Sequence, residues 1–220
     1  MSQHVVITGA NRGIGAALAA GYKAQGWTVT ACSRSGETGT AFDVTDPASI
    51  DALAQSLDGT PVDLLICNAG VYLDKGHNLA DGYPPQMWAD EFAVNVTGVF
   101  LTVQALMPNL QMAGTEQQSG KIAIISSQMA SDTHAPGGSY IYRASKAAAL
   151  NLGRNLATDL KAIGVPVGIY HPGWVQTDMG GGAADITTEQ SRDGLMERFT
   201  ALDLPSTGCF ETWDGRAHAF

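Results

Sequence analysis

The sequence has little with which to cross-link itself, little positive charge and no spaced set of metal ligands. Its three cysteines, Cys32, Cys67 and Cys209, stand singly in 220 residues, without a CxxC or CxxH pair. An odd, scattered count predicts reduced thiols and a cytoplasmic chain, not a disulfide framework. The five histidines (His4, His77, His134, His171, His218) show no ligand spacing, so no metal is expected. Lys and Arg number 12 against 21 Asp and Glu, a net charge of −9. Nucleic acid and anionic membranes want clustered cations, so neither is expected as a partner. The opening "MSQHVVITGA" has no charged leader, and no run of about 18 apolar residues marks a membrane span. A soluble protein is expected, in which the Asn95-Val96-Thr97 sequon stays idle.

What is present is alternation. Short apolar runs at 4–8, 28–32, 62–67, 121–126 and 166–171 are separated by amphipathic stretches near 13–25, 47–57, 87–110, 140–163 and 188–199. The runs are nearly continuous in Val, Ile and Leu, as in strands buried on both faces of a parallel sheet. Strand–helix alternation then implies βαβ crossovers and a doubly wound α/β fold. A chain this long buries roughly 70% of its unfolded surface, so one domain over 1–220 needs no staple. The stretch from Thr38 to Phe42 is too short for a helix between the second and third strands. Thr187 to Gln190 has capping-box spacing for a new helix after the flexible Gly180–Gly182.

"VVITGANRGIGAALA" sets Gly9, Gly13 and Gly15 between the first strand and an Ala/Leu-rich helix. The first glycine permits a tight turn, the second a close approach to a pyrophosphate, the third close helix–strand packing. The helix N-terminus offers free N–H groups to phosphate, so a dinucleotide site is expected. The second strand ends "ACSRSG" with Ser33 and Arg34 and no acid at its tip. An acid there would accept from a ribose 2′-OH, whereas Arg34, helped by Arg12, could pair with a 2′-phosphate. NADP(H) is therefore preferred, and the nearby Glu37 leaves NAD(H) open.

Seven motifs in order, "TGANRGIG" (8–15), "FDVTD" (42–46), "CNAG" (67–70), "NVTG" (95–98), "ISS" (125–127), "YRASK" (142–146) and "HPGWVQTDM" (171–179), span the chain. In them the sequence resembles the short-chain dehydrogenase/reductase family. "GGSYIYRASKAAALN", "HPGWVQTDMGG" and "WDGR" are most similar to its C-factor and Sniffer-type carbonyl reductase branch. The resemblance implies a Rossmann-type doubly wound parallel sheet of order 3-2-1-4-5-6-7, with helices on both faces. It also implies hydride transfer between a nicotinamide and a carbonyl or alcohol, with Tyr142 as acid/base, Lys146 and Ser127 as its partners, and Asn95 kinking its helix and holding a water. A regulatory or signalling protein of the same fold with little turnover is the alternative.

Tyr142 and Lys146 are four residues apart, on one face of a helix. A cation about 6 Å away at an effective dielectric near 20 contributes roughly 2.8 kcal/mol. That lowers a phenol by roughly two pKa units. Tyr140 has Ala144 where Tyr142 has a lysine, so it reads as a wall residue. Ser127 lies fifteen residues before Tyr142, two more than is usual in the family; Ser126 and Ser131 are the less favoured serines. For the cofactor, the resemblance carries over Asn11 and Ile14 in the glycine turn, Asp43 and Val44 at the adenine, and Asn68, Ala69 and Gly70 at its ribose. Pro172, Gly173, Val175 and Thr177 fall at the nicotinamide carboxamide, with Tyr142 and Lys146 beside it. The segment 174–199, with Trp174, Met179 and the loop 128–134, is expected to close over a small-molecule carbonyl or alcohol. Relatives dimerise through the helices corresponding to 87–110 and 140–163, yet some are monomers, so a homodimer and a monomer both stay open.

Overall fold

A computed structural model describes residues 2–37, 39–80, 82–114 and 119–220. Seven parallel strands form one sheet in the order β3-β2-β1-β4-β5-β6-β7. They are β1 (His4–Thr8), β2 (Thr28–Ser33), β3 (Thr40–Ala41), β4 (Leu64–Cys67), β5 (Lys121–Ile125), β6 (Val167–His171) and β7 (Phe210–Thr212). The helices are α1 (Gly13–Ala24), α2 (Pro47–Ser56), α3 (Pro85–Phe92), α4 (Gly98–Met112), α5 (Tyr140–Leu160) and α6 (Thr188–Ala201). Residues β1, β4 and β6 are buried throughout, as continuous apolar runs between two helix layers must be. On one face Val6, Leu65 and Ile122 meet Ile50 and Leu53 of α2 and Val103, Leu106 and Leu110 of α4. On the other, Val5, Ile7 and Leu64 meet Leu18 and Tyr22 of α1 and Leu195 and Phe199 of α6.

The expected strand order and two-sided helix cover are those observed. No helix intervenes between β2 and β3 among the described residues; Thr38, in that connection, lies outside them. The Thr187–Gln190 capping box is present in full and starts α6. The long helix expected over 87–110 is a continuous run, Pro85–Met112, broken in register by a π-helical turn at Ala93–Thr97. By length and composition this run could cross a membrane, contrary to the expectation that none would. Here its apolar face is spent on the sheet: Val99, Val103, Leu106 and Leu110 are all buried.

The strand order reverses between β1 and β4, the point at which an open α/β sheet offers a ligand crevice at the strands' C-terminal ends. Gly9, at φ +68°, opens the β1–α1 turn, and a Cβ on it would come within 2.8 Å of the Ala69 Cα. A Cβ on Gly15 would meet the Gly9 carbonyl oxygen at 2.3 Å. Only glycine lets α1 start this close to both strands.

Candidate active site

Tyr142 and Lys146 sit in the first two turns of α5, both buried, with the Lys146 Nζ 5.7 Å from the Tyr142 ring centroid. The four-residue step has placed them on one face. Ser127, just beyond β5, accepts from the Met129 N–H at 3.1 Å and is the serine whose side chain bears on the Tyr142 phenol, favouring its ionised form. Ser126 faces elsewhere and donates to the Lys146 carbonyl at 3.0 Å, while Ser131 pairs with Thr133. Of the three serines, Ser127 is the one brought to the phenol, at the N-cap of a 3-10 turn at Gln128–Ala130. Tyr140 is 40% exposed and meets Tyr83 edge-on, away from Lys146.

The expected lowering of the phenol is reversed in the chain by itself. Burial pushes the Tyr142 pKa above its ordinary value, and the Ser127 hydrogen bond only partly opposes this. Burial also pulls Lys146 down to about 8. The Coulomb argument counted the attraction between the groups but not the removal of both from water. The raised phenol is protonated at neutral pH, and the lysine is an ammonium below about 8.

Asn95 lies in the π-helical turn and is buried, so its sequon cannot be a surface site. Its Nδ2 donates to the Val71 carbonyl and to Ser145 Oγ, each at 2.9 Å, and its Oδ1 accepts from the Val71 N–H. Both amide hydrogens are thus committed to protein. Three features here have no counterpart in the sequence motifs. Tyr72 stacks on Tyr142 with centroids 4.2 Å apart, and its hydroxyl bonds to Ser139, which takes a left-handed φ of +48° before α5. Asp74, fully buried, accepts from the Ile141 and Tyr142 N–H groups at 2.8 and 3.3 Å and so caps α5 from another loop. Glu91, also fully buried, accepts from the Leu73 N–H at 2.9 Å. Acids between ordinary helix residues carry no local signal of burial; only the four-residue step from Glu91 to Asn95 hints that they share a face.

The cofactor candidates converge on the crevice. Thr8 Oγ1 accepts from the N–H groups of Asn68 and Ala69, and Asn68 Nδ2 donates to the Thr8 and Gly9 carbonyls, all at 3.0 Å. The Asn68 amide is therefore a staple of the glycine turn. Asn11 and Arg12 are exposed on that turn, Ile14 is half-buried, and Thr177 reaches over Gly13. Pro172, Gly173 and Val175 follow β6 above it. A hydrogen bond from the Thr45 N–H holds the Asp43 carboxyl below its usual range, with Arg34 a nearby cation, and Val44 packs against Gly98. Arg34 itself is exposed, and Ser33 Oγ beside it is buried without a partner among the described residues. Arg12 departs from expectation: it is paired at 2.8 Å with Asp178 across the mouth of the turn. Opposite charge draws it there, but an ion pair this exposed is worth ~1 kcal/mol or less and yields readily. The open glycine turn, the Ser33 hydroxyl without a partner among the described residues and the exposed Arg34 fit a phosphorylated dinucleotide.

The segment expected to close the site is divided. Residues 174–187 fold over themselves, with Trp174 Nε1 bonded to the Gly180 carbonyl and Lys75 reaching across to the Met179 carbonyl at 2.7 Å. The remainder, 188–199, is α6, whose Leu195 and Phe199 are core. Among the described residues no group of His, Cys, Asp or Glu could hold a metal.

The family model described as short chain dehydrogenase matches residues 3–186. The chain belongs to the short-chain dehydrogenase family. The chain is 34% identical over 165 residues to the C-signal of Myxococcus xanthus, covering 74% of the chain and 96% of that relative. Its fold superposes on an NADPH-bound carbonyl reductase from chicken fatty liver with a TM-score of 0.90, at 30% identity, covering 100% and 99% of the two chains. The carbonyl reductase Sniffer of D. melanogaster gives a TM-score of 0.90 at 24% identity over the full length of both, a likeness of fold. The branch expected from the motifs, that of the C-factor and the Sniffer-type reductases, is the one these relatives occupy.

Proposed function

We propose that this dehydrogenase is an NADP(H)-dependent reductase of aldehydes or ketones. The observation that carries the reading is the meeting of one buried phenol, one hydroxyl and one buried ammonium beside the glycine turn. The bound cofactor supplies the hydride that reduces the carbonyl carbon. Gly9, Asn11, Gly13, Ile14, Gly15, Asp43, Val44, Ala69, Gly70, Pro172, Gly173, Val175 and Thr177 would line it, with Arg34 and Ser33 toward a 2′-phosphate.

The chain's own part is proton handling and orientation. Ser127 donates a hydrogen bond to the substrate oxygen and holds it against Tyr142. The Tyr142 phenol gives its proton to that oxygen as the carbonyl becomes an alcohol. Lys146 stabilises the phenolate left behind. A phenol raised by burial is protonated at neutral pH, which suits reduction; alcohol oxidation requires the phenolate and so a higher pH. Reduction should weaken as pH rises past about 8, where Lys146 loses its charge.

The 34% identity to a protein named C-signal supports the second reading, a signalling protein that retains the site but turns over little. The two separate in one experiment. NADPH absorbance is followed with a panel of aldehydes and ketones for the wild type and Tyr142→Phe. At least a ~100-fold loss in the variant is expected, the usual weight of a general acid. If the wild type binds NADPH but no carbonyl consumes it faster than the variant does, the reductase reading fails and the signalling one stands.

A further inference from the structure

α3 fully buries one of its eight side chains, and that side chain is Glu91. Burying a carboxylate is costly unless it is paired or well hydrogen-bonded. Glu91 is neither. Its Oε2 takes the Leu73 N–H at 2.9 Å, but among the described residues Oε1 has only two long contacts, to Asn95 Nδ2 and Ser145 Oγ, each at 3.5 Å. Across those two residues lies Lys146, equally buried, whose Nζ donates to the Ile125 carbonyl at 3.1 Å and has no carboxylate within ion-pair distance among the described residues. A methyl group on Gly70 would sit 3.3 Å from Asn95 Oδ1 and 3.4 Å from Lys146 Nζ, so amide and ammonium flank one small space. Glu91 stands behind that amide.

We propose that Glu91 is a positioning residue for the Tyr142–Lys146 pair: it braces Asn95 against Ser145 of α5 and supplies the counter-charge that keeps the buried Lys146 an ammonium. The inference rests on the reading of Tyr142 and Lys146 given above. The other groups facing the cluster are Asp74, from the loop after β4, and Tyr142 on α5 with Tyr72 stacked upon it. Asp74 opposes ionisation of Glu91 and Lys146 favours it; Glu91 in turn is the attractive charge acting on Lys146. Removing that charge makes the ammonium easier to deprotonate. The same change lowers the Tyr142 pKa, because Glu91 opposes the phenolate. Both effects move the alkaline loss of reductase activity to lower pH.

The test needs no cofactor in its first arm. The chain is labelled with 13C at lysine Cε and titrated by NMR, the Lys146 resonance being the one missing from Lys146→Met. Its midpoint, near 8 in the wild type, should fall by about one unit in Glu91→Gln, the low end for loss of a nearby opposite charge. In the second arm, the alkaline limb of carbonyl reduction should shift the same way. Glu91→Asp keeps the charge on a shorter arm, so it should hold the wild-type midpoint while kcat falls several-fold. A folded Glu91→Gln with an unmoved Lys146 midpoint overturns the proposal. If Glu91→Gln does not fold, Glu91→Asp decides: a midpoint lowered as though the charge were gone overturns it too. A wild type without turnover sinks the proposed function and leaves the NMR arm standing.

Discussion

Arg34 and Arg12 carry the same charge near the same crevice, but their surroundings give them different tasks. Arg12 has Asp178 at 2.8 Å, while Arg34 is exposed beside a Ser33 hydroxyl that has no partner among the described residues. Cofactor choice should therefore rest on Arg34. Arg34→Glu should weaken NADPH binding by at least about tenfold, the loss of one charge-assisted bond to phosphate, while leaving NADH nearly unchanged. Titrating each nucleotide by fluorescence checks it, and equal losses for both would remove Arg34 from 2′-phosphate recognition. The tyrosine–lysine pair could be read from spacing because a helix converts four residues into one face. Glu91 and Asp74 could not, since a carboxylate in a polar stretch reads as a solvated one until a neighbouring loop covers it.

At the scale of elements, the start of α5 is the joint on which the site depends. Ser139 stands at the N-cap position but makes no capping bond, and Asp74 takes over the acceptor role from the loop after β4. Asp74→Ala would leave the Ile141 and Tyr142 N–H groups without this acceptor. The expected loss is about 2 kcal/mol, from buried donors left unpaired. For a chain of this size that lowers Tm by roughly 4–8 °C. Because Tyr142 is on the loosened turn, kcat should fall as well, whereas Asp74→Asn, which keeps one acceptor, should lose less of both. Thermal melts and rates on the two variants read this directly; an unchanged Tm in Asp74→Ala would mean the helix start needs no partner. The main helices and five strands could be read from periodicity, because buried strands are continuous in β-branched residues and the helices are amphipathic. The π-helical turn could not be read from composition, as "FAVNVTG" looks like an ordinary helix, and only the resemblance placed a kink at Asn95; β7, three residues long, offers too short a pattern to read.

For the molecule as a whole, one buried histidine ties stability to pH. His171, closing β6, is buried with Nδ1 unpartnered among the described residues. Burial first, then His218 and Arg216, pull its pKa down to about 4, with Asp214 opposing. The unfolded chain binds this proton at ordinary histidine pH and the folded chain does not. Stability from His171 is therefore complete above about 6.5 and is lost as pH falls toward 4. The loss amounts to about 2 kcal/mol at pH 5. Between pH 7 and pH 5 the Tm of the wild type should drop by several degrees more than that of His171→Gln; parallel drops would show that His171 is not the group responsible.

The sequence alone determined five strands, their helix cover and the pairing of Tyr142 with Lys146, because these follow from periodicities of the chain with itself; the full strand order came from the family resemblance. Tertiary structure decided what depends on distant segments meeting. It chose Ser127 over Ser126, turned Arg12 toward Asp178, and buried Glu91 and Asp74 against α5. It also reversed the sign of the shift at Tyr142, since desolvation depends on everything packed around a group and not on its neighbours in sequence.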